Sequence, residues 1–256
     1  MKKQLTAERR QEIAQLLLRN GNLKASDLAQ RFEVSTETIR KDLIYLEEQG
    51  IAKKSYGGVI ASSDLLERPV ALKEMEHMDI KTSIANRALE LIPEQGIILL
   101  DAGSTTYALA KLLTLRNDLT IFTNSIPILN LLADSGNQLF ALGGRVRGSS
   151  KGIVGAWTLQ ALHSIHVDAA FLGCDGFKDL TGPSTASYEE SEFKQAVLSC
   201  SSRTIILSDN SKFLSNSLFQ FCRWDQIYAF VTNMAGTENF QDRIKKIQDC
   251  TRILYS

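Results

Sequence analysis

The sequence predicts two folds in tandem: a small α+β head of three helices with a basic two-stranded flap, then an α/β body on a mainly parallel sheet. Three observations predict this. Residues 34–58, VSTETIRKDLIYLEEQGIAKKSYGG, join a turn, an amphipathic helix and a Lys-bearing segment closed by Gly57-Gly58. From residue 97 onward, short apolar runs alternate with helical patterns. Charge also divides along the chain: residues 1–60 hold eleven Lys/Arg against eight Asp/Glu, and the remainder eighteen against twenty-one, although the whole is neutral. A basic head on an acidic body suits a head that meets nucleic acid.

In the head, Ile13, Leu16 and Leu17 stand at helical spacing within 9–18, and Gly21 stops that helix. A second short helix over 26–31 buries Leu28, Ala29 and Phe32. Val34-Ser35 turns the chain, and the hydroxyl of Ser35 or Thr36 caps a third helix. There Ile39, Leu43 and Leu46 mark the buried face. At about 100° per residue, Glu37, Lys41 and Glu48 then point away from the core. Thr38 and Tyr45 flank them on one side, Arg40 and Ile44 on the other.

The N-terminal turns of such a helix meet base edges in a major groove. Glu37, Thr38 and Lys41 are therefore the candidates for base contact. Lys donates to guanine O6/N7, and a carboxylate accepts from cytosine N4. Arg40 lies nearer the phosphates, while Ile44 and Tyr45 suit either a thymine methyl or another part of the protein. After Gly50, residues 51–54 and 55–60 form two short strands whose Lys53 and Lys54 meet the phosphate backbone. The DNA-facing set is Ser35, Thr36, Glu37, Thr38, Arg40, Lys41, Tyr45, Lys53, Lys54 and Tyr56. A small helical bundle with a charged surface is the plainer alternative.

The run SDLAQRFEVSTETIRKDLIYLEEQGI with its basic YGG flap resembles the DeoR family of bacterial transcriptional regulators, whose members show VS..TIRRDL and an HGG wing. Val34, Ser35, Thr38, Ile39, Arg40, Asp42, Leu43, Leu46, Gly50, Gly57 and Gly58 match. The chain departs at Lys41, where Arg is usual, and at Tyr56, where His is usual. Lys lacks the bidentate fork of Arg, so the operator preference does not carry over.

Residues 61–80, polar and broken by Pro69, read as a linker with room for a short helix. A helix over 81–91 follows, burying Ile84, Ala85, Ala88 and Leu89. The resemblance supports Lys81 as a matching position, either reaching a ligand or pairing on the surface, the second being the plainer reading.

In the body, strands are expected at 97–100, 119–123, 138–142, 167–172, 204–207, 226–231 and 252–255. Short apolar strands alternating with helices argue for a parallel sheet covered on both faces, with ligands at the carboxyl ends of its strands. Polar turns follow those strands. Asp101-Ala102-Gly103-Ser104-Thr105-Thr106 lets backbone approach a ligand and starts a helix, which suits a phosphate. Thr123-Asn124-Ser125, Gly143-Gly144-Arg145, Gly173-Cys174-Asp175-Gly176 and Ser208-Asp209, with Lys212 beyond, follow in turn. Singly, each is ordinary turn chemistry; together they converge on one sheet edge.

In this order the series resembles the DeoR effector domain, so the likeness covers almost the whole chain. It implies a phosphorylated sugar effector that modulates DNA binding. Gly103, Ser104, Thr105 and Thr106 would contact the phosphate, Thr123, Asn124, Ser125, Gly143 and Gly144 would border the ligand, and Asp101, Asp175 and Lys212 would line the sugar side. Glu189, Glu190, Glu192 and Lys194 lie on a helix whose charge is ordinarily that of a solvated face. The effector fold also resembles that of ribose-5-phosphate isomerase, so a sugar-phosphate isomerase is the alternative. That enzyme presents an Asp-Gly-Ala-Asp-Glu run and then a Lys in a Gly-rich loop. Here the run is Leu172-Gly173-Cys174-Asp175-Gly176, the following Gly182-Pro183-Ser184 loop has no Lys, and one carboxylate, Asp175, remains. Binding without turnover is the better reading, with no catalytic residues. A dehydrogenase would need GxGxxG after the first strand, which is absent.

Cys174, Cys200, Cys222 and Cys250 are widely spaced, as are His77, His163 and His166, so no metal site and no cofactor are expected. No apolar run approaches the ~20 residues that span a bilayer. The expected protein is cytoplasmic, with thiols reduced. Its partners are double-stranded operator DNA and a sugar phosphate, and since one head covers one half-site it is a homodimer or homotetramer.

Overall fold

The computed structural model describes residues 6–20, 22–48, 52–55, 57–61, 70–177, 181–215, 217–234 and 238–256. The chain forms two compact units, Met1–Lys73 and Glu74–Ser256, and the division falls within the segment read as a linker.

The first unit holds helices α1 (Thr6–Asn20), α2 (Ala25–Arg31) and α3 (Thr36–Glu48) with strands β1 (Asn22–Lys24), β2 (Ala52–Ser55) and β3 (Gly58–Ala61). The flap is thus three-stranded, in the antiparallel order β1-β3-β2. The sequence concealed β1 because three residues between two helices are too few to show a period of two. This strand explains the paired glycines. Gly57 has φ +77°, and a Cβ on Gly58 would fall 2.0 Å from the Leu23 carbonyl oxygen. One turns the chain, and the other lets β1 approach.

Ile13, Ala14 and Leu17 of α1 pack with Leu28 and Ala29 of α2, Ile39, Leu43 and Leu46 of α3, and Ala52 and Val59 of the flap. Ser35 caps α3: its Oγ accepts from the Thr38 N–H (3.1 Å). One acid, Asp42, is buried on the same face, 1% exposed. Its two carboxylate oxygens take Arg9 Nε at 2.7 Å and Arg10 Nε at 2.8 Å, which ties α1 to α3.

The second unit opens on α5 (Met78–Leu89), preceded by α4 (Val70–Met75), in which the division of the chain falls. Its centre is a seven-stranded, wholly parallel sheet. The strands are β4 (Ile97–Leu100), β5 (Thr120–Thr123), β6 (Gln138–Ala141), β9 (Ala169–Gly173), β11 (Thr204–Leu207), β13 (Ala229–Thr232) and β14 (Arg252–Tyr255). Two small hairpins stand apart from it: β7 (Arg145–Val146) with β8 (Ile153–Val154), and β10 (Ser184–Thr185) with β12 (Phe219–Gln220). Helices α6 (Ser104–Leu112), α7 (Ile126–Leu132), α8 (Ala156–Leu162), α9 (Tyr188–Cys200) and α10 (Gln241–Gln248) complete it.

Alternate residues of each central strand enter different cores, as a period of two requires. Ile98, Leu100, Ala169, Phe171, Ile205, Leu207, Ala229 and Val231 pack with Ile84, Ala85 and Ala88 of α5, Leu109 of α6 and Ile128 of α7. Leu99, Ala170, Leu172, Ile206 and Phe230 pack on the other face with Leu162 of α8, Phe193 and Val197 of α9, and Ile244 and Ile247 of α10. One expected strand is displaced. Residues 224–226 form a 3₁₀ turn, held by the Arg223 N–H on the Gln226 side chain (2.8 Å), and β13 starts only at Ala229.

The sheet order is β14-β13-β11-β9-β4-β5-β6. The chain therefore runs outward from β4 to β6, then returns to the other side of β4 and runs outward again from β9 to β14. The crevice outside the carboxyl ends of β4 and β9 is the topological switch point, where such sheets bind ligands.

Replacing Asp42 by Ala would leave the Arg9 charge buried without its partner, a loss of ~3–5 kcal/mol. The first unit should unfold at lower denaturant, and the double substitution of Arg9 and Asp42 by Leu should recover much of the loss. Chemical denaturation followed by circular dichroism measures both.

Candidate functional site

Two surfaces carry the chemistry, one in each unit. On α3, Glu37, Arg40 and Lys41 are exposed, and Glu37 and Arg40 form a loose ion pair at 3.5 Å. An exposed pair of this kind contributes about 0–1 kcal/mol, so either member can be redirected to a ligand at little cost. Thr36 is exposed too, whereas the Thr38 hydroxyl lies 2.9 Å from Ser35 Oγ and is half-buried. The two outward apolar residues find protein neighbours. Arg10 lies over the Tyr45 ring at 4.1 Å, and Ile44 lines a cleft of about 350 Å³ between α3 and the flap. Arg40, Glu47, Lys54 and Gly58 also line it.

The flap lysines divide. Lys54 pairs across the sheet with buried Val59, on the cleft side, and its N–H donates to Glu47 Oε1 (3.0 Å). Lys53 pairs with Ile60 and belongs to the opposite face. Tyr56 lies outside the described residues.

In the second unit, the turn after β4 enters α6 through Gly103, in extended backbone. The Tyr107 N–H bonds the Gly103 carbonyl (2.9 Å), the first closed turn. The preceding N–H groups of Ser104, Thr105 and Thr106 have no carbonyl within the helix to meet, and the helix dipole adds partial positive charge there. The Thr106 hydroxyl is committed, its one proton shared between the carbonyls of Asp101 (2.7 Å) and Gly103 (2.9 Å). Ser104 and Thr105 are the hydroxyls left to face a ligand.

Thr123, Asn124 and Ser125 build this edge from within. Thr123 Oγ1 donates to the Leu100 carbonyl (2.6 Å), and Ser125 Oγ caps α7 by accepting from the Ile128 N–H (3.3 Å). Asn124 accepts the Ala102 N–H (3.0 Å) and donates to the Ile153 carbonyl (3.1 Å), which joins the turn after β4 to the β7–β8 hairpin. Gly144, at φ +147°, has no room for a side chain, since a Cβ would meet Thr158 Oγ1 at 2.3 Å. Gly143 has open space around that position.

A charged cluster lies at the switch point. Asp101, ending β4, accepts the Gly173 N–H on Oδ2 (3.2 Å) and forms an ion pair with Lys194 of α9 through the same oxygen. Lys194 also donates to the Gly173 carbonyl (2.9 Å), and both side chains are at most 5% exposed. Burial alone would push Lys194 down, but the carboxylates of Asp101 and Glu190 outweigh it and hold the ammonium above its ordinary value. One turn back on α9, Glu190 accepts the Thr185 hydroxyl (2.8 Å) and pairs with Arg147 of the hairpin region at 2.5 Å. Glu189 pairs with Arg145. Asp175 accepts the Ala186 N–H (3.0 Å) and shares the one Thr185 hydroxyl proton with Glu190 (Oγ1 at 3.1 Å), holding β10 against the turn after β9.

The start of α9 is thus no solvated face. The signal was available in the sequence: stepping around α9 from the buried stripe of Phe193, Val197 and Cys200, Glu190 and Lys194 fall together on its flank.

Beside the cluster, Asp209 is buried and lies below the usual carboxylate range. Burial would raise it, but Lys212 and the bonds from Ser211 prevail. Lys81 also favours the Asp209 charge. The surface pairing read for Lys81 is therefore corrected. It is 5% exposed, and its ammonium donates to the Glu76 carbonyl (2.6 Å) because α5 lies along the sheet and turns Lys81 inward with Ile84, Ala85 and Ala88.

Comparison with known proteins assigns each unit to a family. Residues 76–234 match the family described as the DeoR C terminal sensor domain, and residues 9–64 the DeoR-like helix-turn-helix domain. A putative aga operon transcriptional repressor of Escherichia coli O157:H7 is 35% identical over 217 residues, 83% of this chain and 81% of that protein. A lactose phosphotransferase system repressor of Staphylococcus epidermidis is 29% identical over 257 residues, 96% of this chain and 98% of that protein. Among solved structures, ribose 5-phosphate isomerase A of Methanocaldococcus jannaschii aligns at a TM-score of 0.40 and 19% identity, over 54% of this chain and 55% of that one. The relatives that span the chain are regulators of transcription, not enzymes.

Two outcomes follow from the environments above. Burial pushes the half-buried Cys174 thiol up to about 11 and the buried Cys222 thiol up to about 12, Cys200 is buried, and Cys250 is exposed. A thiol reagent at neutral pH should therefore label Cys250 alone in the folded protein, read by peptide mass spectrometry. Because the folded Asp209 carboxyl lies below its ordinary value of 3.8, its stabilising contribution is complete above that pH and fades as pH falls below it. Asp209→Asn should remove that part of the acid dependence, measured by thermal melts between neutral pH and pH ~3.

Proposed function

The chain belongs to the DeoR family of transcriptional regulators, and on that premise we propose that it represses a sugar-utilisation operon, with operator binding modulated by a phosphorylated sugar. The observation that carries the effector half is the gathering of the strand-end turns at one switch point, beside a helix N-terminus with uncommitted N–H groups. The phosphate sits on Ser104, Thr105 and the backbone of 103–106. The sugar extends along the crevice toward Asp101, Asp175 and Lys212.

The operator half rests on α3. Glu37 and Lys41 stand exposed on its outward face to meet bases, while Arg40 and Lys54 flank the cleft beside it and meet phosphates. Residues 1–60 read DNA, 61–80 join, and 81–256 sense. A palindromic or repeated operator pairs with a homodimer or homotetramer in the cytoplasm. Coupling is linkage: the sugar phosphate loosens DNA only by favouring a sensor state that presents the heads unsuitably, typically by ~1–3 kcal/mol.

A gel shift on the DNA upstream of the gene, with and without sugar phosphates, tests the whole reading. Lys41→Ala should weaken or relax operator recognition while sugar-phosphate binding persists. Thr105→Phe should keep the operator complex but abolish its response to the sugar phosphate. Unchanged operator affinity and selectivity in Lys41→Ala would remove α3's outward face from recognition, and turnover of a sugar phosphate would contradict the sensor role.

A further inference from the structure

We propose that the buried Asp101–Lys194 pair is the part of the sensor that reads the sugar itself, as a donor and acceptor set side by side for a vicinal diol. This rests on the sensor reading above and adds a residue, Lys194, with a definite selectivity. Both hydrogen bonds accepted by the Asp101 carboxylate, from the Gly173 N–H and from Lys194, fall on Oδ2. Oδ1 has no partner among the described residues. An ammonium carries three N–H donors; Lys194 gives one to Asp101 and one to the Gly173 carbonyl, which leaves a third. The Phe221 ring lies 5.3 Å from the same nitrogen and walls one side. The pair therefore offers one free acceptor and one free donor on adjacent, fixed atoms at the switch point.

That combination suits two neighbouring hydroxyls. One accepts from Lys194, and the next donates to Asp101 Oδ1. A phosphate alone cannot satisfy both, since a dianion opposes the Asp101 charge. Position agrees: Asp101 is three residues from Ser104, so a ligand anchored at the start of α6 lies within one sugar's length of the pair. A pair that stands at the switch point and leaves both partners short of bonds suits a ligand better than a purely structural role. A buried site built to bond a hydroxyl discriminates strongly against the analogue that lacks it, because its own groups are then left unpaired.

The test is calorimetric binding to the full chain of D-ribose 5-phosphate and D-glucose 6-phosphate, each beside its 2-deoxy counterpart, with inorganic phosphate as the anchor alone. The working variant is D101N/K194M, which removes both charges together so that neither is stranded. Its melting transition checks the fold. The wild type should prefer a parent sugar phosphate over its 2-deoxy form by on the order of 10–100-fold. The variant should bind the two alike, with inorganic phosphate bound as before. Should the variant fail to melt cooperatively, Lys194→Arg keeps the charge but moves the donor, and the preference should fall there as well. A wild type that binds sugar phosphates without this preference, or variants that retain it, would overturn the proposal and leave the sensor reading standing. A protein that binds none of the phosphates would overturn both.

Discussion

On the central strands of a parallel sheet covered on both faces, no side-chain position can be polar and wet. That constraint arranges the second unit. Residues 98–100, 169–172, 205–207 and 229–231 are buried on one face or the other, so the first place where polar groups can stand is where the strands end. Reversal of the chain's direction between β6 and β9 then opens the crevice at one strand pair, β4 and β9. Asp101, Lys194, Glu190, Asp175 and Asp209 are gathered at these strand ends and the adjoining start of α9. A carboxylate and an ammonium so deeply buried persist because each is paired with the other and bonded to the Gly173 backbone.

The head meets the opposite problem. With ten buried apolar residues in its core among those described, the head has little area to hold the mutual angle of its helices. Asp42 supplies a directional contact on the buried side of α3, and the Arg10 guanidinium that grips Asp42 also covers Tyr45 on the outer side. The angle of the recognition helix to α1 is thus set by charge and by a ring face, while the residues that would meet DNA remain only lightly committed.

Much of this was legible in the sequence because it rests on local periodicity. The buried stripe Ile39, Leu43, Leu46 located the outward residues of α3, and the apolar runs located the central strands, apart from β13, where Gln226 is drawn into a turn. The order of polar turns likewise marked the strand ends that meet at the switch point. What stayed hidden depends on partners distant in the chain. β1 is defined by Gly58, 34 to 36 residues away from its own three residues. Lys194 acquires its role from Asp101, 93 residues earlier, and Lys81 from its burial along the sheet. A helix rich in Glu and Lys is usually a solvated face, and only the position of α9 over the switch point makes it otherwise. Asp42 fell between these cases: it matched a family pattern, but its partners Arg9 and Arg10 were unmarked.

Asn124 has a consequence of another kind. By holding the Ala102 N–H and the Ile153 carbonyl together, one amide welds the turn that starts α6 to the β7–β8 hairpin, and Gly152 packs against Ala102 at the same seam. The α6 side of the crevice is therefore held as one piece across this seam. The other side is assembled from separate elements, with Asp101 at the end of β4, Asp175 after β9, Lys194 on α9 and Lys212 after β11. Exchange at those separate positions can then alter the crevice one side chain at a time, while the welded seam keeps its shape.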